Sequence, residues 1–110
     1  MSDAQPTATA DASTILAPLR HQLDDVDREI LELLVRRMTI CLDIARLKAD
    51  HDIPMMQSSR VNLVVDRARQ HAAVHGLPED YFDDLYRRII AETCVQEDVL
   101  MAELSGKALR

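Results

Sequence analysis

Apolar residues recur every three or four positions between residues 16 and 47, and this periodicity constrains the fold more than any other feature of the chain. The series is Leu16, Leu19, Leu23, Val26, Ile30, Leu33, Ile40, Ile44 and Leu47. Such spacing places the side chains on one face of an α-helix and predicts a seam of the coiled-coil type. Pro54 disfavours helical backbone at the residue before it and so ends the element. We therefore predict a first helix over residues 14–51, about 55 Å long.

Two further helices are predicted in the second half of the chain. Ser58 or Ser59 can cap the second helix, and Gly76 suits the left-handed position that follows a helix. Pro78, followed by two acids, is typical of the start of a third helix. The apolar face predicted for the second helix comprises Val61, Val64, Val65, Ala68 and Ala72. The third carries Phe82, Leu85, Ile89, Ile90, Thr93, Leu100 and Leu104 and frays near residues 105–106.

The predicted fold class is therefore all-α, with one long, one short and one medium helix. Aromatic residues make up only 3% of the chain and it contains two glycines, a composition that favours helix over sheet. The folded domain is predicted over residues 14–105, between a flexible N-terminal tail (1–13) and a C-terminal tail (106–110). A chain of 110 residues forms one domain at most.

The length of the first helix also predicts the oligomeric state. A monomer of this size has a diameter near 30 Å, so it cannot cover a helix of about 55 Å with its own chain. The second and third helices cover about half of the seam. An intertwined helical homodimer covers the rest.

Composition excludes several classes of partner. The net charge of −6 argues against nucleic acid, which requires a basic surface. The sequence contains no run of 18 apolar residues, so no membrane span is predicted. The first 14 residues lack the basic start and the apolar stretch of a secretory signal. We therefore expect a cytoplasmic protein. Cys41 and Cys94 lack the spacing of metal ligands, so we expect reduced thiols and no metal site.

Charged residues interrupt the apolar faces. Arg37 occupies the seam position after Leu33, and its neighbours at helical spacing are apolar, so burial requires a carboxylate from another helix or from a ligand. Lys48 lies three turns further along nearly the same face, about 16 Å away, where the two side chains can grip a ligand between them. Taken by itself, Lys48 is better explained as a lysine that stabilises the end of the helix dipole and pairs with Asp52.

Three further residues extend this pattern. Arg20 lies about 25 Å before Arg37 on the same helix, so it reaches a shared ligand only across an antiparallel dimer. The alternative is a surface ion pair with Asp24. Arg60 and Glu97 have no oppositely charged neighbour at helical spacing, and each is either solvated or part of a polar cavity within a helical bundle.

The ordered set Arg20, Arg37, Lys48, Arg60 resembles the all-helical chorismate mutase family. The resemblance begins with Leu19-Arg20-x-x-Leu23-x-x-Val26-Asp27-x-x-Ile30-x-x-Leu33-Leu34-x-x-Arg37. Pro54 follows Lys48, and the stretch Ile89-Ile90-x-Glu92-Thr93-x-x-x-Glu97 lies near the end of the match. The match as a whole covers about residues 16–104.

The resemblance implies a site for a small dicarboxylate, built from Arg37, Lys48 and Arg60 of one chain and Arg20 of the other. Arginines of such enzymes bind the two carboxylates, because a planar guanidinium matches a carboxylate in bidentate fashion. The implied reaction is a pericyclic rearrangement that uses neither nucleophile nor cofactor. Catalysis holds the reactive conformer and stabilises negative charge on the ether oxygen, which Lys48 and Glu97 flank. Thr93 takes the place of a family serine at a substrate carboxylate.

Three departures from the family pattern concern the substrate. Gln57 and Val61 stand where the family commonly has acids beside the ring hydroxyl, and Glu97 stands where glutamine is frequent. The segment Pro54-Met55-Met56-Gln57-x-x-Arg60-Val61 resembles the branch of 4-amino-4-deoxychorismate mutases of antibiotic pathways and isochorismate-pyruvate lyases. We favour the aminodeoxychorismate mutase. Chorismate mutase and the lyase are the enzymatic alternatives, and a metabolite-binding helical dimer is the non-enzymatic one.

Overall fold

The computed structural model describes residues 4–54 and 57–108, with side chains described for 11–54 and 57–106. These residues form three helices, α1 (Ala4–Asp50), α2 (Ser58–Val74) and α3 (Glu79–Ala108), and no strand. The all-α prediction, with one long, one short and one medium helix, is confirmed. No described helix is long and apolar enough to cross a membrane.

Helix α1 begins ten residues before the predicted start at residue 14 and ends at Asp50, one residue before the predicted end. Its first ten residues, AQPTATADAS, contain no large apolar side chain, so their pattern is too weak to predict a helix. Pro18 lies inside the helix, where it lacks the N–H of a regular helical hydrogen bond. Of the predicted tails, residues 1–3 and 109–110 lie outside the described residues.

A left-handed residue ends α1. Asp52 has a φ of 55°, and the Ile53 N–H donates to the Lys48 carbonyl over 2.8 Å. This bond satisfies one of the carbonyls that the end of a helix leaves without an intrahelical partner. Pro54 then prevents the helix from continuing.

The ends of α2 differ in how well the sequence predicted them. Gln57, rather than Ser58 or Ser59, is the N-cap residue, and no side chain caps the helix there. The prediction of a serine cap was therefore wrong. Gly76 has a φ of 68°, as predicted. The Gly76 N–H donates to Ala73 over 3.1 Å and the Leu77 N–H to Ala72 over 2.8 Å, which together form a Schellman motif.

Helix α3 carries Glu79 and Asp80 in its first turn, where acids stabilise the positive end of a helix. It continues to Ala108 and passes through residues 105–106, where we expected it to fray. Ser105 and Gly106 are weak helix formers, but propensity is a small term that neighbouring turns override.

The chain divides into two compact units, Met1–Arg37 and Met38–Arg110. In the second unit α2 packs along α3. The buried side chains there are Ala45, Val65, Ala68, Ala72 and Thr93. Small residues dominate this core, so the helix backbones approach one another closely. Val65, Ala68 and Ala72 belong to the apolar face predicted for α2.

An ion-pair network joins α2 to α3 in the second unit. Arg69 on α2 contacts Asp83 over 3.0 Å and Asp80 over 3.1 Å, and the Arg87 Nε donates to Asp83 over 2.6 Å. Asp83 thus accepts from two guanidinium groups. Its pKa lies below the usual range of an aspartate, chiefly because of the hydrogen bond from Arg87 and also because of the one from Arg69.

The first unit exposes the predicted seam. Ala17 and Arg37 are half-buried, and the other described side chains of this unit are exposed. The seam residues from Leu16 to Leu33 keep between 40% and 64% of their surface accessible. An α-helix with this apolar face in water lacks the packing that normally stabilises an amphipathic helix.

Candidate functional site

Arg20 and Arg37 are the predicted site residues of the first unit. Arg20 is exposed and Arg37 is half-buried. They lie 17 positions apart on one helix, a rise of about 25 Å, and a small dicarboxylate does not span that distance. Within one chain, therefore, these two arginines do not bind the same small molecule.

Lys48 and Glu97 are placed near the same thiol in the second unit. Both side chains are half-buried, Lys48 in the last turn of α1 and Glu97 on α3. Burial raises the pKa of the Cys94 thiol, the charges of Glu97 and Asp98 raise it further, and the charge of Lys48 lowers it. The charges of Lys48 and Glu97 thus both act on the Cys94 thiol, in opposite directions.

Thr93 is a buried polar residue next to this region, with 7% of its surface exposed. Its hydroxyl donates to the Ile89 carbonyl over 2.9 Å, one turn earlier on α3. A hydroxyl has one proton to donate and can rotate about its bond. Donation to a bound carboxylate therefore requires Thr93 to leave this helical carbonyl.

Gln57, Arg60 and Val61 lie at the start of α2. The Gln57 carbonyl accepts from the Arg60 N–H over 3.0 Å and from the Val61 N–H over 3.2 Å. The Gln57 and Arg60 side chains are exposed, and Val61 is half-buried. The first turn thus fixes the backbone of all three residues while the Arg60 side chain extends into solvent.

A groove of about 380 Å³ lies between α2 and α3. It is lined by Ser58, Val61, Asn62, Arg87, Ile90, Ala91 and Cys94. Val61 is the one predicted site residue among them. The other lining residues were not predicted from the sequence, although positions 58 and 62, and 87, 91 and 94, have the spacing of one helix face.

Metal ligands do not cluster in the part of the chain that the structure describes. No group of three or more His, Cys, Asp or Glu side chains is arranged there to hold a metal ion.

Comparison with known proteins identifies the family. The sequence model of the chorismate mutase type II family matches residues 19–98, a range that contains all eight predicted site residues. The chain belongs to this family. It is accordingly a mutase, an isomerase, and the resemblance inferred from the sequence is confirmed.

Two relatives of this mutase share one name, 4-amino-4-deoxychorismate mutase. The 4-amino-4-deoxychorismate mutase of Streptomyces venezuelae is 46% identical over 90 residues, which cover 82% of this chain and 87% of the relative. That of Streptomyces pristinaespiralis is 40% identical over 101 residues, 90% of this chain and 78% of the relative. The chorismate mutase of Methanocaldococcus jannaschii is 25% identical over 92 residues, 84% of this chain and 93% of the relative. No solved structure matches the mutase significantly.

Proposed function

We propose that this mutase rearranges 4-amino-4-deoxychorismate to 4-amino-4-deoxyprephenate, in a cytoplasmic pathway of antibiotic biosynthesis. The similarity to two enzymes named for this substrate, over 82% and 90% of the chain, carries the proposal. The more distant relative at 25% identity is named for chorismate itself.

The proposed mechanism requires no covalent intermediate and no cofactor. As the ether C–O bond breaks, a C–C bond forms within the same molecule. The two substrate carboxylates are held by Arg37 and Arg60 of one chain and by Arg20 of the other chain. The flexible substrate therefore stays in its chair-like reactive conformer. Lys48 and Glu97 donate hydrogen bonds to the ether oxygen, on which negative charge develops in the transition state. The Lys48 ammonium donates directly, whereas Glu97 donates only in its protonated form.

The proposed active form is an intertwined homodimer. Six seam residues of the first unit are about half exposed, and burying half of such a side chain is worth about 1 kcal/mol. A second copy that covers the seam therefore gains on the order of 6 kcal/mol per chain from these residues alone. The distance of about 25 Å between Arg20 and Arg37 supports the exchange of Arg20 between chains.

Gln57 and Val61, at the start of α2, support 4-amino-4-deoxychorismate as the substrate. Aspartate and glutamate accept a hydrogen bond from a ring hydroxyl, whereas valine offers no polar group at all. Val61 is half-buried and lines the groove between α2 and α3, so the wall there is apolar. We propose that Gln57 and Val61 lie beside the ring substituent and disfavour the hydroxyl of chorismate.

The deciding experiment incubates the purified mutase separately with 4-amino-4-deoxychorismate, chorismate and isochorismate and identifies the products. We expect rearrangement of the amino compound with the highest kcat/KM. A higher kcat/KM for chorismate, or release of pyruvate from isochorismate, would overturn the proposed substrate. Binding of all three compounds without turnover would indicate the non-enzymatic alternative, a metabolite-binding helical dimer.

A double variant tests whether Gln57 and Val61 select the substituent on the substrate ring. Gln57→Asp with Val61→Glu is expected to shift the ratio of the two kcat/KM values toward chorismate by about tenfold or more, the worth of one hydrogen bond to a charged acceptor. Ser59→Asp with Leu63→Glu adds the same two acids to exposed positions of α2 and serves as the control. An equal shift in both double variants would mean that charge alone, and not position, causes it.

A further inference from the structure

Two histidines lie side by side at the end of α2. His71 is in the last turn of the helix, and His75 is its C-cap residue, one turn further along. Their ring centroids are 4.7 Å apart, and both side chains are exposed. Residues four positions apart share one face of a helix, so the fold of α2 keeps the two imidazole rings together in water.

The His75 ring is oriented by the backbone of α2. Its Nδ1 lies 3.0 Å from the His71 carbonyl oxygen. A carbonyl only accepts, so Nδ1 carries a proton and donates it, which leaves a lone pair on Nε2 of the neutral ring. Metal-binding histidines are commonly held in this way, by a bond from the second ring nitrogen to a carbonyl. Helix ends without a ligand also contain such a bond, so the second imidazole beside it is the deciding feature.

The separation of the two rings fits adjacent ligands of one metal ion. An ion about 2.1 Å from an imidazole nitrogen lies roughly 3.2 Å from the ring centroid. Two ligands at a right angle, as in square-planar geometry, then have centroids roughly 4.5 Å apart, and two at the tetrahedral angle roughly 5.2 Å. The observed 4.7 Å is closer to the right angle, which Cu²⁺ and Ni²⁺ prefer.

The end of α2 also favours a positive ion. The last carbonyls of a helix carry partial negative charge, which stabilises a cation nearby. The Schellman motif at Gly76 fixes the backbone just after His75, so the ligands need little ordering when an ion binds. In the described ranges no third His, Cys, Asp or Glu completes a cluster with the pair. Water therefore fills the remaining positions around a bound ion.

The histidine pair is remote from the residues proposed to bind the substrate on the same helix. His71 follows Val61 by ten positions of α2, a rise of about 15 Å. His75 lies about 21 Å beyond Val61 by the same measure. An ion held by the pair thus does not touch a substrate held at the start of α2.

We propose that His71 and His75 form a surface site for a divalent late transition-metal ion of the Cu²⁺ and Ni²⁺ type. Imidazole nitrogen suits these ions, whereas Mg²⁺ prefers oxygen ligands. Because the chelate needs the helical spacing, it forms in the folded chain and stabilises it. The site departs from the expectation of no metal site, which rested on the two cysteines, and it does not depend on which substrate the mutase uses.

Isothermal titration calorimetry of the untagged chain with Ni²⁺ tests the binding. We expect one ion per chain, and no heat of binding with Mg²⁺ at the same concentrations. His71→Gln and His75→Gln should each raise the Kd for Ni²⁺ at least about tenfold, because the remaining imidazole loses a second ligand on the same chain. The control is a double variant, His21→Gln with His51→Gln, which removes two other exposed histidines and should keep the wild-type Kd.

Urea unfolding with and without Ni²⁺ is the second readout. Ni²⁺ should raise the urea midpoint of the wild type and leave that of His71→Gln unchanged. The His71→Gln chain keeps the bond from His75, whose acceptor is the backbone carbonyl, so the end of the helix stays intact. A second control, Cys41→Ser with Cys94→Ser, removes the thiols as alternative ligands and should retain both the Kd and the rise in midpoint.

Three outcomes would overturn the site. They are a wild-type Kd in both His71→Gln and His75→Gln, a loss of affinity in either double variant as large as in these two, and a urea midpoint of the wild type that Ni²⁺ does not raise. Binding of Mg²⁺ as tight as that of Ni²⁺ would also contradict the proposal, because it would indicate oxygen ligands.

Discussion

At the scale of single residues, Glu97 is the side chain whose protonation matters most for the proposed reaction. A charged carboxylate would repel the negative charge that develops on the ether oxygen, whereas a protonated one donates a hydrogen bond to it. We therefore expect kcat of the wild-type mutase to fall as the pH rises and the active, protonated fraction decreases. Glu97→Gln provides a permanent donor of similar shape and is expected to stay active with a flatter profile. Steady-state kinetics between pH 5 and about 9 measure both profiles.

The matched control is Glu103→Gln, which changes an exposed acid on the same helix and should keep the wild-type pH profile. A Glu97→Gln profile identical to that of the wild type would place Glu97 outside the site. Loss of activity at every pH would indicate that the charged form is required, for example to face a substrate ammonium group.

Single residues differ in how far the sequence predicted them. The half-buried position of Arg37 was predictable, because a cation interrupts an otherwise apolar seam. Arg87 was not, because an exposed arginine four positions from an aspartate is typical of an ordinary surface ion pair, and its position at a groove depends on the packing of α2 against α3. The bond from Thr93 to the Ile89 carbonyl depends on a hydroxyl rotamer that no sequence pattern specifies.

At the scale of helices, the network of Arg69, Asp83 and Arg87 links α2 to α3 and makes their packing sensitive to acid. The pKa of Asp83 is lowered in the folded chain, first by Arg87 and then by Arg69. Stability from this group is therefore fully present above the unfolded pKa, about 3.9, and is lost as the pH falls through the folded pKa. We expect Asp83→Asn to lower the urea midpoint at pH 7 and to reduce the further loss on acidification toward pH 2. Circular dichroism at a series of pH values measures this.

Asp84→Asn is the control for this prediction, because it changes the next residue, an exposed acid of the same helix. It should leave the midpoint at pH 7 nearly unchanged. If Asp83→Asn and Asp84→Asn respond alike to acid, the helices are not linked through Asp83.

The helices themselves were predictable where periodicity is strong. The seam predicted α1 and its end before Pro54, and Gly76 predicted the end of α2. The start of α1 at Ala4 and the cap at Gln57 were missed, because helix ends depend on local backbone geometry more than on residue type. Asp52 adopts a left-handed conformation that the sequence permits but does not require.

At the scale of the whole molecule, the proposed exchange of Arg20 between chains predicts complementation. Arg20→Ala and Arg37→Ala should each be nearly inactive, since each removes one carboxylate ligand from both sites of a dimer. In a mixture at equal concentrations half of the dimers are mixed, and each mixed dimer contains one intact site. Activity should therefore recover to about a quarter of the wild-type value. Assays before and after subunit exchange measure the recovery.

A mixture of Arg37→Ala and Lys48→Ala is the control, because both residues belong to the same chain's site and no mixed dimer contains an intact one. Recovery there would mean that the chains share the site differently. Absence of recovery with Arg20→Ala, once exchange is demonstrated by mass spectrometry, would show that Arg20 does not act across the interface. The homodimer stays a prediction, which the length of α1 and its exposed seam support.

The short connection between α2 and α3, residues 75–78, bears on the order in which the chain folds. Helices joined this closely make contacts that are near in sequence, and such contacts form quickly because little chain has to be ordered first. The Schellman motif at Gly76 already directs the chain back on itself before distant segments meet. In the proposed homodimer the exposed seam of α1 has no such local counterpart, so its burial requires an encounter between two chains. Until that encounter the apolar face of α1 is exposed surface of the kind that makes incompletely assembled chains prone to aggregate.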